Sequence, residues 1–183
     1  MKNKNNPQRQ QTKRIAAASI FSALSVIILS LGSVIEVMDL TLCAIASVFV
    51  VLSVIELGYY WPFLVYSVTG VLSVLLLPNK FPAVVYLLFA GLYPMFKAAF
   101  ERLHYVIGWL LKFSFFNTTL LLIIFITVYV MRLEDTGLEY TIVLLLLANV
   151  TFFLYDFVLT KLITLYLIKL RRLFGFKNYF DND

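Results

Sequence analysis

The residues with the most chemical potential in this sequence are a few polar side chains inside a long apolar run. Asp156 is the only charged residue between Glu139 and Lys161, and Tyr155 directly precedes it. Asn149 lies seven residues before Asp156, which places both on one face of a helix. Such side chains are expensive in a lipid environment and often mark a ligand or proton pathway. The spacing therefore predicts a polar helix face that contacts a ligand or relays protons.

A structural interpretation of Asp156 stands beside this one. A helix that crosses from the outside reaches the inner half of a membrane after about sixteen residues, or ~24 Å. At that depth the carboxylate would form an ion pair with Lys97, Lys112 or Lys161. Depth favours the ion pair for Asp156, whereas Asn149 lies nearer the midplane and suits both interpretations equally.

A second group of polar residues surrounds the short gaps between apolar runs. Glu36 and Asp39 bracket one gap, and Asn79 and Lys80 form another. Two acids and a lysine at one mouth would hold a small polar or zwitterionic ligand by charge-assisted hydrogen bonds, although solvated loop charges explain them equally well. With one aromatic residue from the next helix, the candidate substrate-binding residues are Glu36, Asp39, Asn79, Lys80, Tyr86 and Asn149.

Tyr86 belongs to an aromatic stripe. Tyr86, Phe89 and Tyr93 recur at helical spacing and share a face, which forms either a ligand wall or, more commonly, packing. Pro94 follows, and its missing N–H predicts a kink one turn before the helix ends.

Motifs of familiar enzymes are missing from the sequence: it has no G-x-S-x-G, no H-E-x-x-H and no P-loop. The only histidine, His104, has neither a nucleophile nor metal ligands near it in sequence. The only cysteine, Cys43, lies in an apolar run and is expected to be a small buried hydrophobe. We therefore expect no enzyme activity, catalytic residue, metal or cofactor.

The composition explains where these polar residues must lie. Of 183 residues, 62% are hydrophobic and only 14% are charged. A soluble domain carries about 25% charged residues, so the sequence predicts an all-α integral membrane protein. Lysines and arginines outnumber acids by 15 to 10, but they lie at segment ends and termini, which argues against nucleic-acid binding.

Six charge-free segments predict a compact bundle of six transmembrane helices. Several have about 16 residues, near the lower limit for spanning. Gly58 and Pro62 support the break between the second and third segments. The predicted spans are Ile15–Ile35, Leu40–Ile55, Leu57–Asn79, Phe81–Phe96, Phe113–Met131 and Tyr140–Tyr155.

The domain organisation follows from these spans. Residues 1–13 are expected to form a basic disordered cytoplasmic arm, residues 14–173 the six-helix membrane domain and residues 174–183 a cytoplasmic tail. The mixed segment Lys97–Lys112 predicts an amphipathic helix on the cytoplasmic surface before the fifth span.

The distribution of basic residues predicts the orientation. With the N-terminus inside, 13 of the 15 lysines and arginines fall on the cytoplasmic side, and only Lys80 and Arg132 lie outside. This asymmetry follows the positive-inside rule. We expect a multi-pass protein of the cell membrane with both termini in the cytoplasm.

Small residues line one face of the first helix. Ala16, Ser19 and Ala23 follow one another at i, i+3 and i+7, and Ser19 and Ala23 form a small-xxx-small pair. In lipid, such a face lets another helix approach closely. Packing within the chain is the commoner use of such a face.

The basic arm, the small-residue first helix and the six short spans resemble the substrate-binding S components of energy-coupling factor (ECF) transporters. The resemblance is strongest over Thr12–Glu101. It rests on the opening TKRIAAASIFSALSVIILSLGS, on Asp39-Leu40-Thr41 after the first outer loop, and on Ala44–Leu57.

That resemblance implies capture of a vitamin-like small molecule from outside. ATP-driven uptake would then require a coupling transmembrane subunit and two ATPases. The implied contacts with the coupling subunit are Ala16, Ala17, Ser19 and Ala23.

An alternative is a membrane scaffold without transport. The rod-shape membrane proteins of the cell-elongation machinery have a similar size and number of spans. A third class, a membrane enzyme or lipid-handling protein, would need clustered acids and histidines that this sequence does not show.

Overall fold

The computed structural model describes residues 7–58, 60–130 and 138–170, and within these ranges the chain is helical without strands. Short π-helical turns, Tyr86–Ala90, Ile126–Val130 and Tyr166–Leu170, follow α4, α6 and α7, and a 3-10 turn, Glu36–Met38, precedes α2. The α-helices in chain order are α1 Pro7–Val34, α2 Asp39–Glu56, α3 Trp61–Leu76, α4 Phe81–Val85, α5 Tyr93–Phe100, α6 Tyr105–Phe125 and α7 Leu138–Leu165.

Length and composition make this a membrane fold. Within the described residues, five helices are long and apolar enough to cross a membrane. A further apolar helix, Trp61–Leu76, has 16 residues and is shorter than these five. The five are Gln8–Val34, Asp39–Glu56, Phe81–Phe100, Tyr105–Val128 and Val143–Lys169. The chain is thus a helical multi-pass membrane protein.

The break between the second and third apolar segments falls where Gly58 and Pro62 predict it. α2 ends at Glu56, Gly58 adopts a φ of 91°, and Pro62 lies in the first turn of α3. Glycine tolerates that left-handed conformation, and proline lacks only an N–H that the first turn of a helix does not use. This prediction is confirmed.

The regular α-helix is interrupted just before Pro94, where the sequence predicts a kink, by a change of hydrogen-bonding pattern. The N–H of Gly91 donates to the carbonyl of Tyr86 five residues earlier at 2.8 Å, and α5 then begins at Tyr93. Because Pro94 has no N–H to donate, the carbonyl of Ala90 loses its usual partner and the regular helix is interrupted there.

The prediction of a surface helix between Lys97 and Lys112 is wrong. α5 continues to Phe100 and α6 already begins at Tyr105, so only four residues connect them. Both lysines are buried, at 1% and 6% exposure. The two lysines that bound the segment thus face the interior, whereas Leu103, Val106 and Leu110 are exposed.

Two groups of buried residues hold the bundle together. The first joins α1, α2, α3 and α4 and includes Leu29, Val50, Val65 and Ala83, none of which is exposed. The second is aromatic and joins α5, α6 and α7 through Tyr93, Phe116 and Phe152. Since lipid is as apolar as these side chains, close packing supplies the stability.

A Gly91→Ala variant tests how tightly the first group is packed. A Cβ at Gly91 would lie 2.6 Å from Cδ2 of Tyr66 and 3.0 Å from two ring carbons of Tyr86. Rigid rings cannot yield easily, so we expect unfolding to become easier by about 1–3 kcal/mol, measured by thermal melting in detergent.

Gly32→Ala is the matched control, because its Cβ would approach no atom more closely than Cβ of Leu42, at 3.3 Å. We expect a smaller loss of stability for Gly32→Ala than for Gly91→Ala. The reverse order would contradict this account of the packing around Tyr66 and Tyr86.

Candidate ligand cavity and buried ion cluster

A cavity of about 690 Å³ lies among α2, the segment Phe81–Ala90, α6 and α7. Leu40 and Phe81 begin their helices, Val128 lies near the end of its helix, and Leu144 lies near the start of α7. Phe81–Phe100, which contains α4 and α5, is one apolar segment, and the short connections reverse the chain between one apolar segment and the next, so these four residues lie at one end of the bundle. The cavity therefore opens toward that end, and its volume falls in the usual range for small-molecule sites.

Aromatic rings form the floor of the cavity. The rings of Phe116 and Phe152 stack with centroids 4.4 Å apart, and Phe89 meets Phe116 edge-on at 5.3 Å. Tyr155 completes the floor, with its ring 5.7 Å from Phe89. Rigid rings in this arrangement give a fixed surface on which a flat molecule can lie.

The six candidate substrate-binding residues do not meet in this cavity. Of the five whose side chains the structure describes, none lines it, although Asp39, Lys80, Tyr86 and Asn149 each precede or follow a lining residue in sequence. Asp39 is buried one turn before Cys43. Glu36 belongs to the 3-10 turn before α2.

Asn79 and Lys80 stabilise the backbone around the second gap. The Asn79 N–H donates to Oγ of Ser33 at 2.9 Å, and its side-chain oxygen accepts from the N–H of Phe81 at 3.0 Å. Lys80 donates to the carbonyls of Leu77 and Val74 at the end of α3. The cation thus satisfies carbonyls that the end of a helix leaves without partners.

Tyr86 and Asn149 pack against neighbouring helices. Tyr86 is fully buried and stacks on Tyr66 with centroids 6.2 Å apart. Asn149 and Asn117 exchange side-chain hydrogen bonds of 3.2 and 3.3 Å, which join α7 to α6. Asn117 is not among the candidate residues predicted from the sequence, although a polar amide within an apolar run could have indicated it.

Asp156 lies in a buried ion cluster, as the structural interpretation predicts. Lys97 contacts one carboxylate oxygen, and Nζ of Lys112 lies 3.2 Å from the other. Glu101 pairs with both lysines, at 2.8 and 3.2 Å. Tyr93 donates its hydroxyl hydrogen to Asp156. We call these five residues the ion cluster; its two lysines and two acids balance in charge.

The ion cluster connects three helices near the end of the bundle opposite the cavity mouth. Lys97 belongs to α5, Lys112 to α6 and Asp156 to α7. Lys161, the third lysine considered from the sequence, instead lies 5.4 Å from the ring of Phe157. A smaller cavity of about 430 Å³ lies beside the cluster and is lined partly by Lys112 and Asp156.

The ion cluster and the cavity floor share aromatic neighbours. The ring of Tyr93 lies 5.3 Å from Phe89 and 5.6 Å from Tyr155, while its hydroxyl contacts Asp156. The cavity floor and the cluster are therefore two sides of one packed layer.

The small-residue face of α1 is open. Ala16, Ser19 and Ala23 are exposed, whereas Ala17 is half-buried against the first core group. The four positions therefore do not form one surface: three face outward and one faces the bundle.

Comparisons of this chain with protein-family models, with curated proteins and with solved structures find no match. The fold itself defines the class, a helical multi-pass membrane protein with a cavity inside its bundle.

Proposed function

We propose that this protein is a membrane-embedded solute-binding subunit of the ECF S-component type. In this role it captures a vitamin-like small molecule from outside and delivers it to a partner complex for ATP-driven uptake. The observation that carries the proposal is the 690 Å³ cavity, which opens at one end of the bundle and is closed below by aromatic rings.

The proposed orientation has six spans and both termini in the cytoplasm. In that orientation the cavity mouth, at Leu40 and Phe81, faces outward, and the ion cluster lies toward the cytoplasm. α3 crosses as the short third span. Its 16 residues extend about 24 Å, so the bilayer must thin locally or flanking residues must complete the crossing.

The open face of α1 supports a helical partner. Ala16, Ser19 and Ala23 leave a shallow strip, with the larger exposed Ile20 and Ile27 beside it. A helix of the coupling subunit can approach such a strip closely, and in lipid this close contact is the main source of affinity.

A pull-down from native membranes tests the proposal. The wild-type chain is expected to recover the coupling transmembrane subunit together with both ATPases. An Ala16→Leu/Ala23→Leu double variant should reduce their recovery more than tenfold, since loss of close helix packing costs more than 1.4 kcal/mol.

Ala99→Leu is the matched control, an exposed alanine on a different helix, and should leave recovery unchanged. Recovery of cell-wall synthesis proteins without the ATPases would reject uptake and support the rod-shape scaffold. Equal losses with Ala99→Leu would show that α1 is not the contact.

A further inference from the structure

We propose that the cavity takes a neutral, ring-containing molecule with few polar groups, and that Thr127 donates the single hydrogen bond that orients it. This inference rests on the proposed function, since it names the class of solute. It departs from the polar or zwitterionic ligand that Glu36, Asp39 and Lys80 suggest in the sequence.

The chemistry of the cavity wall favours a neutral ligand. None of the described residues that line the cavity is charged, and most carry only carbon side chains. An ion that enters such a space loses its hydration without gaining a partner, which is prohibitively costly. Asp39 lies one turn before Cys43 but does not line the cavity.

The cavity wall offers few free hydrogen-bond donors. Five lining side chains carry a polar hydrogen, and four of these donate it within the protein. The acceptors are the Pro82 carbonyl for Cys43 at 3.3 Å, the Phe115 carbonyl for Thr119 at 2.7 Å, the Leu147 carbonyl for Thr151 at 2.9 Å and Oγ of Ser47 for Tyr155 at 2.7 Å. Ser47 itself donates to the Ala44 carbonyl, so Tyr155 must be the donor in their bond.

Thr127 is the fifth side chain. Its hydroxyl oxygen is buried and has no hydrogen-bond partner in the part of the chain that the structure describes. A buried polar group without a partner is costly, so rotation of the Thr127 side chain toward the cavity that it lines would let its hydroxyl donate a full hydrogen bond to a ligand acceptor. A ligand that is apolar except for one hydrogen-bond acceptor matches the single free donor of the cavity wall.

The surroundings of the cavity also favour a neutral ligand. Leu144 and Leu147 line the cavity and are also 53% and 62% exposed, so the wall on the α7 side borders the surroundings of the bundle. In a membrane those surroundings are hydrocarbon. A molecule that dissolves in lipid therefore has only this wall of side chains between it and the cavity, whereas a charged solute would first have to leave water.

Three probes of nearly equal size separate the alternatives: 2-acetylnaphthalene, which is neutral with one acceptor, 2-naphthoate, an anion, and 2-naphthylmethylammonium, a cation. Binding to the full chain in detergent is measured by native mass spectrometry. We expect the neutral ketone to bind at least tenfold more tightly than either ion. Tighter binding of the cation would implicate Asp39 and overturn the proposal, as would binding of none of the three.

Two pairs of variants locate the site. Thr127→Val should weaken ketone binding about tenfold, as expected for one lost hydrogen bond to a buried group. Thr118→Val, at an exposed threonine of the same helix that is not among the lining residues, should change it less than twofold. Equal effects of these two nearly isosteric changes would overturn the role of Thr127.

Ala148→Phe should fill the cavity and abolish ketone binding. Val150→Phe, on the same helix but 59% exposed, should not. Retained binding in Ala148→Phe, or a tightly bound phospholipid that the ketone cannot displace, would overturn the proposal. Recovery of the ATPases in the pull-down does not depend on these probes. The pull-down can therefore reject the proposed function, and the binding measurements can reject the ligand class, independently of each other.

Discussion

Replacement of Asp156 by Asn is expected to lower the free energy of unfolding by about 3–5 kcal/mol, because it leaves buried positive charge without its counterion. Lys97 is 1% exposed and Lys112 is 6% exposed, and the carboxylate of Asp156 contacts both. Asparagine has nearly the same shape, so the change tests charge and leaves packing intact. Unfolding in mixed detergent and denaturing micelles measures it.

Glu101→Gln is the matched control. Glu101 contacts the same two lysines, but its side chain is 44% exposed and water already screens it. We expect a loss below about 1 kcal/mol, as for exposed ion pairs. Equal losses for Asp156→Asn and Glu101→Gln would mean that burial does not determine the strength of the ion cluster.

A triple variant separates stability from function. Asp156→Leu combined with Lys97→Met and Lys112→Met removes every buried charge of the cluster, and such exchanges are often neutral or stabilising. Full stability with lost uptake would assign the ion cluster a role in transport. Full stability with normal uptake would leave it a purely structural link among α5, α6 and α7.

The positions of the helices could be predicted from the sequence, but the residues at which they begin and end could be predicted less accurately. Apolar runs are long because lipid demands it, so each of the six predicted segments contains helix. α6, however, begins at Tyr105, eight residues before the predicted start of the fifth span at Phe113. The predicted start is too late because a lysine at the edge of an apolar segment is normally solvated, so the sequence predicts that Lys112 lies outside the span. Its buried partner Asp156 lies 44 residues away in the sequence.

Polar residues in the gaps were visible in the sequence, but their partners were not. Asn79 and Lys80 suggested a ligand because of their side chains, whereas the structure places those side chains against backbone atoms of their own turn. Backbone groups leave no trace in a sequence pattern. Asn117 differs, because it pairs with the side chain of Asn149; a single amide in an apolar run stands out in the sequence but does not reveal which helix it faces.

The cavity itself could not be predicted. Residues that line a cavity in a membrane protein and residues that face lipid have the same composition, since both surfaces are apolar. Phe152 and Phe153 illustrate this, being identical and adjacent in sequence, yet 2% and 52% exposed. Periodicity in a helix with little hydrophobic contrast cannot assign one of them to the interior.

Phe152 and Phe153 also provide the second prediction with a large expected effect on stability. Phe152→Ala is expected to lower the free energy of unfolding by about 2 kcal/mol, roughly half the cost seen for Phe→Ala in soluble cores. In a membrane the separated helices still hold this ring in hydrocarbon, so the transfer part of the cost disappears and lost packing remains. Phe152 loses its stack with Phe116 and its edge contacts with Tyr93 and Phe89.

Phe153→Ala should cost at most about 1 kcal/mol, the scale of one aromatic pair, since its stack on Trp109 at 5.6 Å is its one ring contact in the described residues. Both variants delete the same atoms at adjacent positions of one helix. The effects of helix propensity and of lipid solubility on stability are therefore equal in the two and cancel when their losses are compared. The free energy of unfolding of both variants is measured in mixed micelles. Equal losses of stability would mean that the aromatic floor is not packed as a core. A loss well above 2 kcal/mol for Phe152→Ala would mean that the cavity floor also supports the ion cluster through Tyr93, and that emptying one disturbs the other.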